Sequence, residues 1–455
     1  MIKIPLDARI ILDKLNENGY EAYVVGGCVR DSVLGRIPGD WDICTNALPE
    51  QTMQVFEGFH VIPTGIKHGT VTVMLNGEGY EITTYRVDGK YSDGRHPDSV
   101  SFTGNLKDDV ARRDFTVNAM AYSEKDGIKD FFGGMDDIKN GVIRCVGTPH
   151  ERFTEDALRI IRAVRFASVL GFEIEKNTKK AMLDLHKRLD LVAKERINVE
   201  FNKMLCGLNP ARYLREYDYL FFHIIPELEA MKGCEQNNPY HIYDVWNHTL
   251  AVLENIEEKD TVLRLSALFH DIGKPHVYTE KDGIGHFYGH ADKSCELAEG
   301  IMKRLKYSTD EINEVLTLVK YHDTPITPTK KFVRRCLCKM DRSTFEKLLS
   351  LSRGDVLGQS GKDREARLFS IAEVRKILEE FDAENECFSL KQLKIDGNDL
   401  IKMGVQPGKK LGEILNELLC LVIDEKLENN EDVLREYVKK TFLQENSVKE
   451  YQLLT

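Results

Sequence analysis

The sequence lacks the features that would mark a membrane, secreted or polycationic protein. No stretch approaches the roughly 20 apolar residues of a membrane-spanning helix. Ten cysteines are scattered without a CxxC pair. Cys336 and Cys338 form only CxC, short of the usual zinc spacing, so free and mostly buried thiols in a reducing compartment are expected. Basic residues are outnumbered, 63 Lys and Arg against 74 Asp and Glu, for a net charge of −11. That balance excludes a nonspecific polycation binder and confines any nucleic-acid contact to local basic patches. The opening MIKIPLDARIILDKLNENGY reads as an amphipathic helix without the uninterrupted apolar core of a signal peptide. Internal repeats and low-complexity segments are also missing. A cytoplasmic protein with no membrane partner is the expectation.

What is present is the balance of a soluble globular chain, 42% apolar and 30% charged. Its 455 residues suggest about three domains by length alone. Between residues 20 and 150, short alternating strands (YVVGG, GTVTVML, EITTYRV, MAYSEKDGIKDFFGG) are separated by glycine turns, which predicts an α/β or α+β head with a small mixed sheet. Beyond 150 strand signals nearly vanish and helical periodicity dominates, predicting an all-α body. Breaks are expected at this switch, near PELEAMKGCEQNNPYH and near LSRGDVLGQSGKD.

The head carries the most informative pattern. Asp40 and Asp42 in GDWDICTNA follow the run EAYVVGGCVRD. Residues i and i+2 of a strand point to one side, so both carboxylates reach one point. Mg²⁺ takes such oxygen ligands together with substrate phosphates, and a second ion nearby would activate an attacking hydroxyl. Gly26 and Gly27 let backbone amides approach a triphosphate, and Arg30 stands where the next helix begins. An ordinary strand-to-helix turn capped by Asp31 leaves the carboxylate pair unexplained. Glu81, in EITTYR, is either a third metal or base position or an exposed strand residue. The segment 84–113, rich in Gly, Asp and basic residues, reads as a long loop returning to the site, with Arg113 as its inner anchor on triphosphate or base.

GGCVRD, DWDICTNALP, RRDFTVNAMAY and ERFTEDALRIIRAVRFA together resemble the successive motifs of class II tRNA nucleotidyltransferases and bacterial poly(A) polymerases, in the DNA polymerase β superfamily. The resemblance implies a nucleotidyltransferase head at 1–150, a nucleotide-selecting neck at 151–228, an HD metal domain at 229–352 and a helical tRNA-binding tail at 353–455. It further implies attack of the tRNA 3′-hydroxyl on the α-phosphate of CTP or ATP. The nearest likeness is to bacterial CCA-adding enzymes that retain an HD domain. Poly(A) synthesis is the rival reading, and an HD phosphohydrolase or RNA-binding protein with a silent head is the alternative of a different class.

In TEDALRIIRAVRFA, residues Asp156, Arg159, Arg162 and Arg165 stand three apart, each about 60° behind the last around a helix. The arginines occupy one arc of roughly 120°, with Ile160, Ile161, Val164 and Ala167 on the buried side. An Asp and an Arg side by side offer the acceptor and donor needed to read a Watson–Crick edge. The resemblance gives that role to Asp156 and Arg159, and has Arg162 and Arg165 contact phosphates or brace the pocket. Cytosine and adenine both present an amino donor beside a ring-nitrogen acceptor, so CTP and ATP would be chosen over UTP and GTP.

A second constellation runs through His248, the adjacent His270 and Asp271 of HDIGKP, His290, and His322 with Asp323, and resembles the HD phosphohydrolases. Imidazole and carboxylate ligands suit Ni²⁺, Mn²⁺, Co²⁺ or Fe²⁺ better than Mg²⁺. His248, His270, Asp271 and Asp323 are the expected ligands, with His290 and His322 completing a second ion or binding phosphate. Related enzymes with an intact set are expected to hydrolyse 2′,3′-cyclic phosphates and 2′-phosphates. Finally, Lys331, Arg334, Arg335 and Lys339 recur at helical spacing, as a phosphate-binding edge or a solvated helix face, and Lys409 and Lys410 follow a glycine near a helix start in a tail resembling the family's tRNA-elbow grip.

Overall fold

Alternating apolar residues build the sheet around which the first part of the chain folds. In this computed structural model, which describes residues 2–89, 99–384 and 390–443, the strands are β1 (Ala22–Val25), β2 (Ile43–Thr45), β3 (His60–Gly65), β4 (Thr70–Leu75), β5 (Glu78–Thr84), β6 (Arg86–Asp88), β7 (Val100–Phe102), β8 (Met120–Ser123) and β9 (Gly127–Asp130). Seven of them form one mixed sheet in the order β3-β4-β5-β2-β1-β8-β9, while β6 and β7 pair as a separate hairpin. Only β2 and β5 run parallel in the large sheet. β1 is buried along its whole length, with Tyr23 and Val25 packed among Cys44, Tyr85, Ala121 and Val146. Ahead of it, α1 (Leu6–Glu17) buries Ala8, Ile11, Leu12 and Leu15, the single apolar face that its spacing allows.

The sequence pattern found β1, β4, β5, β8 and β9 but not β3 or β7, and it expected a strand at Asp40 and Asp42. Asp40 and Asp42 lie in extended chain just before β2, not inside a strand. The ladder ends there because β1 gives way to the glycine turn, after a last bond from the Val25 N–H to the Asp42 carbonyl at 3.0 Å. Residues 90–98, the middle of the loop expected at 84–113, lie outside the described residues.

The chain divides into two units, Met1–Pro226 with Met302–Tyr307, and Glu227–Ile301 with Ser308–Thr455. The first continues through α2 (Gly27–Val33), which follows β1, and through α3 (Pro149–Glu155), α4 (Leu158–Leu170) and α5 (Lys194–Leu205). Strands do not cease at 150. β10 (Val142–Ile143) pairs in parallel with β11 (Glu173–Ile174), and in the second unit β12 (Thr279–Lys281) and β13 (Ile284–His286) form a hairpin.

The rest of the second unit is helical, with α6 (Val245–Glu254), α7 (Thr261–Phe269), α8 (His290–Arg304), α9 (Thr309–Tyr321), α10 (Lys330–Lys339), α11 (Arg342–Gly358), α12 (Arg364–Glu384) and α13 (Lys409–Ile423). Glycine sets one spacing. A Cβ on Gly354 would stand 3.2 Å from the Val252 carbonyl and one on Gly358 3.2 Å from the Val252 nitrogen, so α6 and α11 meet backbone to backbone. Near the C-terminus, Leu400, Ile414, Leu418, Leu434 and Val438 form a core of their own. No helix among the described residues is long and apolar enough to cross a membrane.

Candidate functional site

The glycine turn between β1 and α2 organises the head. Gly26 has φ +85°, a conformation that side chains resist, and a Cβ there would lie 2.7 Å from Arg113 Nη1. Arg113 Nε is buried without a hydrogen-bond partner among the described residues. Asp42 lies close enough to feel this guanidinium. Burial pushes the Asp42 carboxyl up, Arg113 pulls it back, and Asp40 and Glu81 push it up again. Glu81 reaches the cluster because β5 runs parallel to β2, pairing Ile82 with Ile43 and so setting Glu81 beside Asp42.

Among the described residues, no hydrogen bond or ion pair engages the side chains of Asp40, Asp42 or Glu81. Asp40 and Glu81 raise the cost of charge on Asp42, and the three carboxylates form a donor set that suits a hard divalent cation. Arg30 is used otherwise: it is buried, forks onto Asp31 at 2.8 and 2.9 Å, and donates to Asn118 Oδ1 at 2.5 Å.

From Asn118 a chain of bonds runs to α4. Asn118 donates to Asp114 at 3.1 Å, Arg162 donates to Asp114 at 2.7 and 2.9 Å and to Glu200 at 3.0 Å, and Arg165 donates to Glu200 at 2.7 Å. Burial alone would raise the Asp114 carboxyl, yet Arg162 and the Asn118 bond overcome it and hold it at about 2. The guanidiniums of Arg30, Arg162 and Arg165 all lie over the Phe166 ring, the last at 3.5 Å. Ile160, Ile161, Val164 and Ala167 fill the opposite face of α4, as expected.

Asp156 and Arg159 are not a side-chain pair in this structure. Asp156 sits in the break between α3 and α4, caps the Leu158 N–H at 3.0 Å and pairs with Arg196 of α5 at 3.2 Å. Arg159 turns the other way, onto Glu155 at 2.7 Å and the Arg112 carbonyl at 3.0 Å. The break arises because the two helices are capped separately, which releases Asp156 from the 60° progression.

In the second unit, five residues converge on one point. The Nε2 atoms of His248 and His270 are 3.4 Å apart, and stand 3.5 and 3.1 Å from Asp271 Oδ2. Those of His290 and His322 are 3.2 Å apart, each 3.6 Å from Asp271 Oδ1. Asp271 therefore bridges two ligand groups, each gathered within 4.8 Å. The head carboxylates form no such group.

Each of the four imidazoles donates its Nδ1 proton to a backbone carbonyl, His248 to Gly358, His270 to Ala267, His290 to Phe287 and His322 to Val319, at 2.6 to 3.3 Å. This fixes the tautomer and aims four Nε2 lone pairs inward, where paired lone pairs at such distances repel unless a cation lies between them. Both oxygens of Asp271 are buried, and Oδ2 lies 2.7 Å from Lys274 Nζ. Burial would raise this carboxyl, but His270 and Lys274 hold it well below the usual range. The residues fit two transition-metal ions.

The second carboxylate is not the expected one. Asp323 is exposed on the cavity wall, because the helical step that aims His322 inward carries its neighbour toward solvent. Asp355 of α11 stands instead 3.0 Å from His248 Nε2, brought there by the close contact of α6 with α11. Sequence reasoning also missed Lys274, 2.7 Å from Asp271, and His241, whose buried ring is pushed down to about 3 by burial, Lys274 and His248. The one available signal for Asp355 was the GDVLG run, in which glycines flank an aspartate on a helix.

The expected basic edge on α10 is already answered by acid. Arg335 pairs with Asp424 at 3.2 Å, Lys331 approaches the same carboxylate at 4.0 Å, and Arg334 pairs with Glu425. Lys409 and Lys410 open α13 after Gly408, and Lys409 is almost wholly exposed beside Glu413.

Family models match much of the chain: "Poly A polymerase head domain" at residues 22–144, "Probable RNA and SrmB- binding site of polymerase A" at 171–232, and tRNA nucleotidyltransferase domain 2 at 276–438. The CCA-adding enzyme of Limosilactobacillus reuteri (strain DSM 20016) is 35% identical, covering 95% of this chain and 96% of that protein. That of Oceanobacillus iheyensis is also 35% identical, covering 96% and 98%. Among solved structures, the Bacillus stearothermophilus CCA-adding enzyme in complex with CTP aligns with a TM-score of 0.69 at 27% identity, over 99% of this chain and 100% of that one.

Proposed function

The chain belongs to the CCA-adding enzymes, and from that membership we propose that it extends the 3′ end of tRNA with cytidine and adenosine drawn from CTP and ATP. The observation that carries the reading at residue level is the unpaired carboxylate cluster of Asp42, Asp40 and Glu81 beside Arg113 and the Gly26 turn. Gly26 and Gly27 admit the triphosphate to the start of α2, and Arg113, whose Nε has no hydrogen-bond partner among the described residues, binds its charge. Asp40 and Asp42 hold Mg²⁺, which when bound lowers the pKa of the tRNA 3′-hydroxyl and screens the departing pyrophosphate. Asp42 orients these groups from a half-buried position, and Glu81 adds negative charge that strengthens cation binding. Arg30, Arg162 and Arg165 act as braces, through Asn118, Asp114 and Glu200.

Asp156 and Arg159 select the base, each from a position fixed by its partner, Arg196 or Glu155. Residues 1–150 serve as head, 151–228 as neck, 229–352 as HD domain and 353–455 as tail, whose separate apolar core around Leu418 supports an independent role in gripping tRNA. Lys409 and Lys410 meet the RNA backbone there, and Lys331, Arg334 and Arg335 do so only by exchanging Asp424 and Glu425 for phosphate. Free cysteines are consistent with work in the cytoplasm.

Incubation of the purified chain with tRNA ending before CCA, and separately with an oligo(A) primer, tests this reading. Three nucleotides, C, C and A, are expected on tRNA; a long adenosine tract on either acceptor would replace it with poly(A) synthesis.

A second activity is favoured by the bridged histidine cluster. We infer that the HD domain, completed by Asp355 from beyond its expected end at 352, hydrolyses phosphoesters with Mn²⁺ or Ni²⁺ held by His248, His270, Asp271 and Asp355 and by His290 and His322. Lys274 is placed to meet phosphate charge beside Asp271. Metal-dependent phosphatase activity should survive Asp42→Ala and vanish in His270→Ala.

A further inference from the structure

Packing alone does not hold the Asp355 carboxylate in place. It borders two cavities, one of about 350 Å³ that also takes in Asp271 and Gln359, and one of about 370 Å³ whose wall includes Arg367. A side chain with open space beside it keeps its torsional freedom unless polar bonds remove it. Among the described residues, three side chains approach this carboxylate. His248 Nε2 stands 3.0 Å from Oδ1, Gln359 Nε2 donates to Oδ1 at 2.9 Å and to Oδ2 at 2.8 Å, and Arg367 Nη2 stands 3.6 Å from Oδ2. The first of them is no anchor. His248 gives its Nδ1 proton to the Gly358 carbonyl at 3.3 Å, so Nε2 turns a lone pair toward Asp355, and two acceptors at that distance repel until a cation separates them.

The hold against that repulsion falls to Gln359 and Arg367. Gln359 follows Asp355 by four residues, one helical turn, at the end of α11, and is only 8% exposed. Its amide can face only one way. A guanidinium only donates and a carboxylate only accepts, so Oε1 meets Arg367 Nη1 and the amide nitrogen meets Asp355. Arg367 therefore sets the orientation of Gln359 from another helix, α12. Arg364, at the start of that helix, donates to the Gln359 carbonyl at 2.6 Å and fixes the backbone as well.

We propose that Gln359, oriented by Arg367, is the positioning residue of Asp355 and holds its carboxylate against His248 before any ion arrives. This role rests on the metal reading of the HD domain given above, and adds to it two side chains that do not themselves ligate. A ligand already in place binds its ion more tightly than one that must first be turned and held. Loss of such a support weakens metal affinity roughly 10- to 100-fold.

The test is a calorimetric Mn²⁺ titration of the full chain, stripped with chelator, in an Asp42→Ala background that removes one carboxylate of the head cluster. The melting temperature of each metal-free chain is read beside it. Gln359→Leu should weaken Mn²⁺ binding by about tenfold or more, and so should Arg367→Met, at a partly exposed position that serves even where the buried variant fails to fold. Arg367→Lys, which keeps a donor for Gln359 Oε1, should retain most of the affinity. The double variant should lose less than the two single losses combined, because both act through one amide. The visible spectrum of the Co²⁺-loaded chain should change in Gln359→Leu, a signature that a purely structural role would leave unmoved. Unchanged Mn²⁺ affinity in both Gln359→Leu and Arg367→Met, whatever their melting temperatures, overturns the positioning role and leaves the metal centre standing. A parent chain that binds no transition metal overturns the metal reading and this role with it.

Discussion

The α-carbon of Gly26 and the guanidinium of Arg113 are in contact so close that a methyl group on the first would stand 2.7 Å from Nη1 of the second. Gly26→Ala therefore both strains a backbone at φ +85° and displaces Arg113. CTP incorporation into tRNA should fall about 100-fold in kcat/KM, the scale of a misplacement near 1 Å, while tRNA affinity in a filter-binding assay changes little.

Asp42 should behave as a stability cost kept for activity. Its carboxyl is raised in the fold, by burial first and then by Asp40 and Glu81, so the folded chain holds the proton more tightly than the unfolded one. Stability then drops as pH rises through the interval between the ordinary carboxylate value and the raised one, and the penalty persists at neutrality. Asp42→Asn should melt a few degrees higher at pH 7 without divalent cations, by calorimetry, and should be inactive in nucleotide addition. Added Mg²⁺ should narrow the gap in melting temperature.

Asp114 works with the opposite sign. Against the cost of burial, Arg162 and Asn118 hold it at about 2, so its contribution is present above the unfolded carboxylate value and disappears as pH falls through about 2. Asp114→Asn should cost about 2 kcal/mol in urea melts at pH 7, and the difference from wild type should close between pH 4 and pH 2.

Base choice should depend on Arg196 as well as on Asp156. If Asp156 reads the base from a position set by the 3.2 Å pair, Arg196→Ala and Asp156→Ala both raise UTP incorporation relative to CTP by tenfold or more before phosphoryl transfer is lost. Unaltered discrimination in both variants would remove Asp156 from base selection.

Metal content should separate the two candidate carboxylates. Asp355→Asn, which removes the group 3.0 Å from His248, should lower bound Mn²⁺ measured by mass spectrometry, whereas Asp323→Asn should retain the wild-type load.

The head was legible because its signals are local. Alternation, glycine pairs and the spacing of Asp40 and Asp42 are properties of a few adjacent residues. What stayed hidden depends on partners far along the chain. Glu200 reaches Arg162 and Arg165 from another helix, and Arg196 takes the acceptor edge that helical geometry had offered to Arg159. The metal set shows the same limit. HDIGKP announced itself, but Asp355 was specified by the packing of Gly354 and Gly358 on Val252, a contact no periodicity encodes.

The two bridged ligand groups draw on α6, the end of α7, the start of α8, the end of α9 and α11. An ion seated there would cross-link segments otherwise joined only through long stretches of polypeptide, closing large loops before the bundle can come apart. Such a staple ties unfolding of these helices to metal release. A chelator would then act on this half of the protein as a denaturant does, loosening five helices in a single step.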